Sequence, residues 1–342
     1  MKALVSVLAA TALIGAAAPR NTGDSNAAAQ PKAEAAGPGV DMATLKTQVI
    51  LAKLGFSPGV LDGKKGQSLT LALKGFQTSR GLKPTGTMDE PTTQALAPYQ
   101  GVEAVKRLRL DEASLAGPYT NPFPKDPKQQ ALLPALDYRN ALEALAERFH
   151  TTPAVLIALN SPTTMLRVGE IVTFPNALPS SREYTISDEA ARTRLASLNV
   201  DATEPQAARI VVDKSDGALK VYDADDRLVA QFPATMGSER DPLPLGTWEL
   251  KGTSFNPTWN YNPAILKTAD KSDPELQIKA GPNNPVGVVW IDLSKEHYGI
   301  HGTAEPSVIG RAESNGCIRL TNWDAARLAL MVKPGLKAVF QA

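Results

Sequence analysis

Ile300-His301-Gly302-Thr303, followed by Ser314-Asn315-Gly316-Cys317-Ile318-Arg319-Leu320, are the two stretches on which the reading of this chain turns. The first ends a short apolar run, and the second follows a loop that contains Gly310. His301 and Cys317 lie 16 positions apart (317 minus 301). A thiol with an ordinary pKa of about 8.5 is mostly protonated near neutrality, and a neighbouring imidazole that takes the proton leaves a thiolate able to attack a carbonyl carbon. Gly316 allows a tight turn that presents the sulfur, with the backbone N–H groups of Gly316 and Cys317, to a developing oxyanion. Cys317 is the only cysteine of 342 residues and His301 is one of three histidines, so few such pairs can be assembled. His297 is the rival base, because an even separation within a strand would put it on the same face as His301. By count alone, a buried, inert cysteine is as good a reading as a reactive one.

Outward from these motifs, the chain from Ala208 runs in short β-rich segments: Ile210–Val212, Leu219–Tyr222, Leu228–Phe232, Thr247–Leu250, Val286–Leu293, Tyr298–His301 and Ala338–Phe340. Gly and Pro punctuate them, as in a β-sandwich or barrel-like domain, and only Asp324–Val332 reads as clearly helical. Between Asn256 and Asn284 strand period is lost. Trp259 and Tyr261 in that segment suit a cleft wall or lid, or equally a core. The planar fork of Arg319 suits a carboxylate, on a substrate or in a structural salt bridge. No Cys-x-x-Cys spacing occurs, and the His-x-x-x-His spacing of His297 and His301 comes with no further ligand motif, so no metal is expected, and no cofactor motif is present.

Residues 41–98 contain two similar units, Gly59-Val60-Leu61-Asp62 and Gly86-Thr87-Met88-Asp89, each leading into a stretch of helical period such as Leu69, Leu73 and Phe76. A small bundle of short helices follows. Residues 99–132 read as a Pro-rich connector. Within 133–178, Ala141–Phe149 and Pro153–Leu159 read as helices, with His150 at the end of the first facing solvent or capping. Residues 179–207 read as a second connector carrying a helix from Ser187-Asp188 to Leu198. The resulting fold class is multidomain α+β, with 208–342 as its mainly β domain.

These patterns carry three resemblances. Leu54-Gly55-Phe56, Pro58-Gly59, Asp62-Gly63, Phe76-Gln77, Thr85-Gly86 and Ala95-Leu96 resemble the peptidoglycan-binding domain found beside wall hydrolases and transpeptidases. The order helix, Thr151-Thr152, helix, Asn160, Val168-Gly169-Glu170 and a strand ending at Pro175 resembles a LysM glycan-binding module, although its opening strand is poorly marked. Residues 208–340 resemble the L,D-transpeptidase catalytic domain, the YkuD domain. That match rests on Pro244-Leu245-Gly246-Thr247, Asn256-Pro257-Thr258-Trp259, Gly281 through Gly287, Ile300 through Thr303 and Ser314 through Leu320. The last resemblance implies that Cys317 is the nucleophile and His301 the base. It also implies a substrate in the tetrapeptide stem of peptidoglycan, with Ser314, Asn315, Gly302, Arg319, Trp259 and Tyr261 as candidate contacts. Asn315 departs from the family, where many members carry His before the Gly-Cys pair; Asn forms hydrogen bonds but does not titrate. A hydrolase using the same thioester, or a wall-binding scaffold, is the competing function.

Composition agrees with a wall protein. A length of 342 residues implies two or three domains. Lys plus Arg (36) nearly cancel Asp plus Glu (35), which removes the footprint of a nucleic-acid binder. Residues 1–18 read as a secretory signal: Lys2, an apolar run from Ala3 to Ala16, then Ala17-Ala18 before Pro19. That run is shorter than the ~20 residues of a spanning helix, so no membrane span is expected after cleavage. Residues 19–40 read as a flexible linker. The expected location is the periplasm, associated with the wall.

Overall fold

The computed structural model describes residues 39–239, 241–264, 270–310 and 316–342; the expected signal, most of the expected linker, Ser314 and Asn315 lie outside them. Helices α1 (Met42–Lys53), α2 (Gln67–Ser79) and α3 (Glu90–Leu96) open the chain. The carboxylates of Asp41 and Asp89 cap α1 and α3 by accepting from the N–H groups of Thr44 and Thr92. The repeat has a physical basis in two buried glutamines. Gln48 accepts from the N–H groups of Asp62 and Gly63, and Gln77 accepts from that of Gly86, so each fastens its own Gly-containing turn to the helix before it.

The next elements are β1 (Val105–Arg109), α4 (Glu112–Leu115), α5 (Pro127–Gln130), α6 (Ala141–Arg148), α7 (Pro153–Leu159) and β2 (Ile171–Pro175). Strand β1 lies inside the stretch expected to be a connector and pairs antiparallel with β2, from Val105↔Pro175 to Arg109↔Ile171. Its three cations in five residues mask it in the sequence, since one face stays wet. The α6–α7 pair packs on this ribbon, with Phe149 stacked on Phe174 at 4.1 Å. Helix α8 (Glu189–Ser197) belongs to the second expected connector, yet Leu195, Leu198 and Val200 are fully buried in the same core as the strands that follow.

Those strands are β3 (Arg209–Asp213), β4 (Ala218–Tyr222), β5 (Leu228–Pro233), β6 (Thr235–Met236), β7 (Gly246–Phe255), β8 (Trp259–Tyr261), β9 (Leu276–Ile278), β10 (Val289–Leu293), β11 (Gly299–His301), β12 (Ile318–Arg319) and β13 (Lys337–Gln341). Nine of them form one sheet in the order β5-β4-β3-β13-β7-β10-β11-β12-β6. Strands β5 and β6 stand at opposite ends of that order but are separated in sequence by Ala234 alone. One residue spans only about 3.5 Å, so the two edges must approach each other and the sheet curls into a barrel-like form. The long β7 enables the curl, pairing with β13 through its first half and with β10 through its second. Helix α9 (Asn322–Met331), capped by Thr321, packs Trp323, Ala326 and Leu328 into the core.

The amino-terminal bundle is built onto this domain. Strand β5 is an edge, and residues 55–57 cover it: Ser57 N–H donates to the Gln231 carbonyl at 2.9 Å, and Gln231 N–H donates to that of Gly55 at 2.9 Å. The Gln231 amide donates to the Leu71 carbonyl at 2.7 Å, and Leu228 enters the core of the bundle beside Phe56, Phe76 and Leu96. Ser57 also donates to buried Asp324 at the start of α9, at 2.9 Å. Among the described residues, no helix is long and apolar enough to cross a membrane.

Truncating Gln231 removes its buried hydrogen bond to the Leu71 carbonyl and empties the space its amide fills against Gly75. Gln231→Ala is expected to lower the stability of the whole chain by about 1–3 kcal/mol, read as an earlier urea midpoint. An unchanged midpoint would mean that the junction contributes nothing to folding.

Candidate active site

Strands β11 and β12 run parallel with Ile300↔Ile318 and His301↔Arg319 in register. Ile300 and Ile318 are fully buried in the main core. Side chains alternate along a strand, so His301 and Arg319 stand on the other face, and the same parity aligns Cys317, just before β12, with Gly299. Trp290 on β10 and Thr235 on β6 complete this face, opposite His301 and Arg319 respectively.

His301 is 3% exposed, and its ring stacks on Trp290 at 5.3 Å with 15° between the planes. Its Nδ1 lies 2.7 Å from the Gly302 carbonyl oxygen. A carbonyl only accepts, so Nδ1 carries the proton and Nε2 is left bare as the basic nitrogen. Burial pushes the imidazole pKa down to about 4, opposed by the bond to Gly302 and reinforced by the Arg319 charge. Burial raises the Cys317 thiol, against a backbone hydrogen bond from Gly299 and the Arg319 charge. The pair therefore rests as neutral imidazole and thiol at neutral pH, not as an ion pair.

The Cys317 thiol also donates to the His297 carbonyl at 3.8 Å. His297 precedes β11 and has φ 66°, outside any strand, so the parity that makes it a rival base does not apply. Its ring points outward: the side chain is 59% exposed, with Nε2 3.5 Å from a Glu296 carboxylate oxygen. Gly316 has φ 92°, and a Cβ there would meet the Tyr298 ring at 2.7 Å. Both the turn and the approach of Tyr298 thus require glycine immediately before the thiol. Arg319 Nε is buried with no partner among the described residues; burial lowers the guanidinium pKa, opposed by the Cys317 sulfur when ionised and by the Glu305 carboxylate.

Trp259 and Tyr261 lie in the β8–β9 hairpin, in edge contact with each other at 5.5 Å. They pack with Ile278 and with Leu136, which comes from the amino-terminal half. The backbone N–H groups of Leu136 and Asn283 bond to the carbonyls of Ala280 and Leu136, and Lys128 pairs with Asp273 at 2.8 Å. Both aromatics thus build the interior of a strapped hairpin. His150 is a correction: expected to face solvent or cap, it is 8% exposed and stacked on Trp323 at 5.1 Å, with Nε2 2.7 Å from the Leu198 carbonyl. Sequence reading also passed over Trp290, Glu147 and Asn322, which no motif marks. Among the described residues no group of three or more His, Cys, Asp or Glu could hold a metal ion.

Comparison with known proteins fits this geometry. Residues 207–340 match the family described as "L,D-transpeptidase catalytic domain", and residues 43–96 match the "Putative peptidoglycan binding domain". The "Putative L,D-transpeptidase YkuD" of Bacillus licheniformis is 34% identical over 129 residues, 38% of this chain and 62% of that protein. The protein of the same name from Bacillus subtilis is 52% identical over 56 residues, 16% of this chain and 34% of that protein. A solved L,D-transpeptidase from Mycobacterium smegmatis overlaps 39% of this chain and 58% of its own, at 22% identity and a TM-score of 0.32. The chain thus spans less than two thirds of the length of either of these Bacillus relatives. The two matched segments, residues 207–340 and 43–96, are similar to those two domain families.

A Cβ at position 316 forces either the φ 92° turn or the Tyr298 ring to move. Gly316→Ala is expected to cost about 1–3 kcal/mol and to change the rate at which iodoacetamide alkylates Cys317. Wild-type stability and alkylation rate together would show that the turn is not under this constraint.

Proposed function

We propose that the protein is an exported, periplasmic wall-associated L,D-transpeptidase that joins peptidoglycan stem peptides through a thioester on Cys317. The observation that carries this reading is the single face shared by Cys317 and His301 on neighbouring strands, with His301 Nε2 kept bare by the Gly302 carbonyl. The match of residues 207–340 supports it.

Cys317 attacks the carbonyl of the bond between an L- and a D-residue in a tetrapeptide stem, diaminopimelate to D-alanine. His301 Nε2 takes the thiol proton as the S–C bond forms, because neither group is charged beforehand. The N–H groups of Gly316 and Cys317 face the oxyanion. The proton on His301 passes to the amine of the departing D-alanine. An amine of a second stem then attacks the thioester, gives up its proton through His301, and releases Cys317. Arg319, whose buried Nε has no partner among the described residues, is suited to pair with a stem carboxylate. Gly302, Trp259 and Tyr261 are the further candidate contacts for the stem, and the candidates Ser314 and Asn315 lie outside the described residues. Peptidoglycan is the partner of the amino-terminal half too. There the antiparallel β1–β2 ribbon around α6 and α7 supports a LysM-like module whose opening strand is Val105–Arg109.

Mass measurement of products from purified tetrapeptide muropeptides tests this reading. Transpeptidation gives a cross-linked dimer less one D-alanine; a tripeptide alone would mean hydrolysis, and unchanged substrate a scaffold. No acyl-enzyme is expected on Cys317→Ala.

The pH dependence follows from the imidazole. Its pKa of about 4 lies below the ordinary 6.5, so the base is neutral and active above that value and acylation is lost as pH falls through about 4. His301→Ala should acylate at least about 100-fold more slowly near neutrality and recover as rising pH ionises the thiol, whereas His297→Ala should stay near wild type. Loss in His297→Ala with a normal His301→Ala would reverse the assignment of the base.

A further inference from the structure

We infer that Glu147 and Asn322 form a positioning pair for the catalytic base, by which a helix of the amino-terminal half holds the Gly302 peptide and, through it, the imidazole of His301. The inference rests on the role proposed above for His301, and it adds residues that touch neither thiol nor substrate.

Glu147 lies on α6, 6% exposed, and its Oε1 accepts from Asn322 Nδ2 at 2.8 Å. Asn322, fully buried at the first position of α9, also donates Nδ2 to the Pro282 carbonyl at 3.2 Å and accepts at Oδ1 from Val288 N–H at 3.1 Å. Acceptors on one side and a donor on the other allow the amide a single orientation. Two glycines lie flush against it: a Cβ on Gly287 or Gly302 would stand 2.0 or 2.1 Å from Asn322 Oδ1. The Gly302 peptide is thus backed by a planar amide that cannot rotate. Its carbonyl accepts from His301 Nδ1, and its N–H bonds to the Val289 carbonyl at 3.2 Å.

The chemistry at Glu147 agrees with retention for position and not for charge. Burial raises its carboxyl to about 7, against hydrogen bonds from Tyr138 and Asn322 and the Arg194 charge, with Glu143 adding to the rise. An apolar side chain would avoid the cost of burying this group, but would take from the Asn322 amide its shortest bond, at 2.8 Å, and loosen its hold against the Gly302 peptide. In water an imidazole favours the proton on Nε2, the tautomer that cannot take a proton from the thiol. Fixing the Gly302 carbonyl removes that alternative.

The test uses the full chain and three variants, Glu147→Gln, Glu147→Leu and Asn322→Ala. Two readouts are needed: the ¹⁵N signals of the His301 ring, which report the tautomer, and the acylation of Cys317 by a tetrapeptide muropeptide. The wild type should show the Nδ1–H tautomer, and Glu147→Gln, which keeps an acceptor, should preserve it. Glu147→Leu and Asn322→Ala should populate Nε2–H and lower the maximal acylation rate about tenfold or more with little change in KM, as expected when a base is displaced. Folded variants with wild-type tautomer and rate would overturn the inference. If Glu147→Leu does not fold, Asn322→Ala decides by the same readouts. A wild type that forms no acyl-enzyme would sink the transpeptidase reading yet leave the tautomer comparison to stand or fall by itself.

Discussion

The register of β11 against β12 is the constraint on which the site depends. With Ile300 beside Ile318 in the core, period-2 alternation leaves no other face for His301, Arg319 and Cys317. A slip of one residue would turn the thiol and the imidazole inward and expose two isoleucines. The apolar core therefore protects the catalytic geometry without touching it. Trp290 and the Gly302 carbonyl then hold the ring within that face, stacking on one side and a hydrogen bond on the other.

Both members of the pair are neutral in the resting site, and this has a chemical consequence. Burial opposes charge on either, so the ion pair that many thiol enzymes maintain would be costly here. The thiol stays protonated until a carbonyl is present to accept its electrons, which protects a lone cysteine from adventitious oxidation by keeping thiolate scarce. Arg319 works against burial at the sulfur and with burial at the imidazole, so its charge favours a neutral imidazole and an ionised thiol.

The amino-terminal half is part of the same framework. Residues 55–57 extend the β5 edge, α8 fills the catalytic core, Leu136 completes the interior of the β8–β9 hairpin, and Glu147 reaches Asn322. A picture of binding modules on flexible leashes, natural from the prolines and the polar stretches, does not describe this chain within residues 39–342. The helical half and the sheet domain thus share hydrogen bonds and core within residues 39–342.

The sequence by itself singled out the candidate residues, because Cys317, His301 and the glycines between them occur in short motifs whose spacing is local. Many helices and strands were legible for the same reason: the helical period of Leu69, Leu73 and Phe76, the start at Ser187-Asp188 and the strand period after Ala208 are properties of a few neighbouring residues. The tertiary structure alone decided what each long-range partner does. His150, with an ordinary look at a helix end, is buried because Trp323, far away in the chain, offers its ring. Strand β1 exists because β2 supplies its hydrogen bonds, and Trp259 and Tyr261 are interior because Leu136 covers them. The demotion of His297 came from a backbone turn at φ 66° that no pattern announces. In each case the deciding energy is a contact between residues distant in sequence, and composition and period carry no information about which distant residue will arrive.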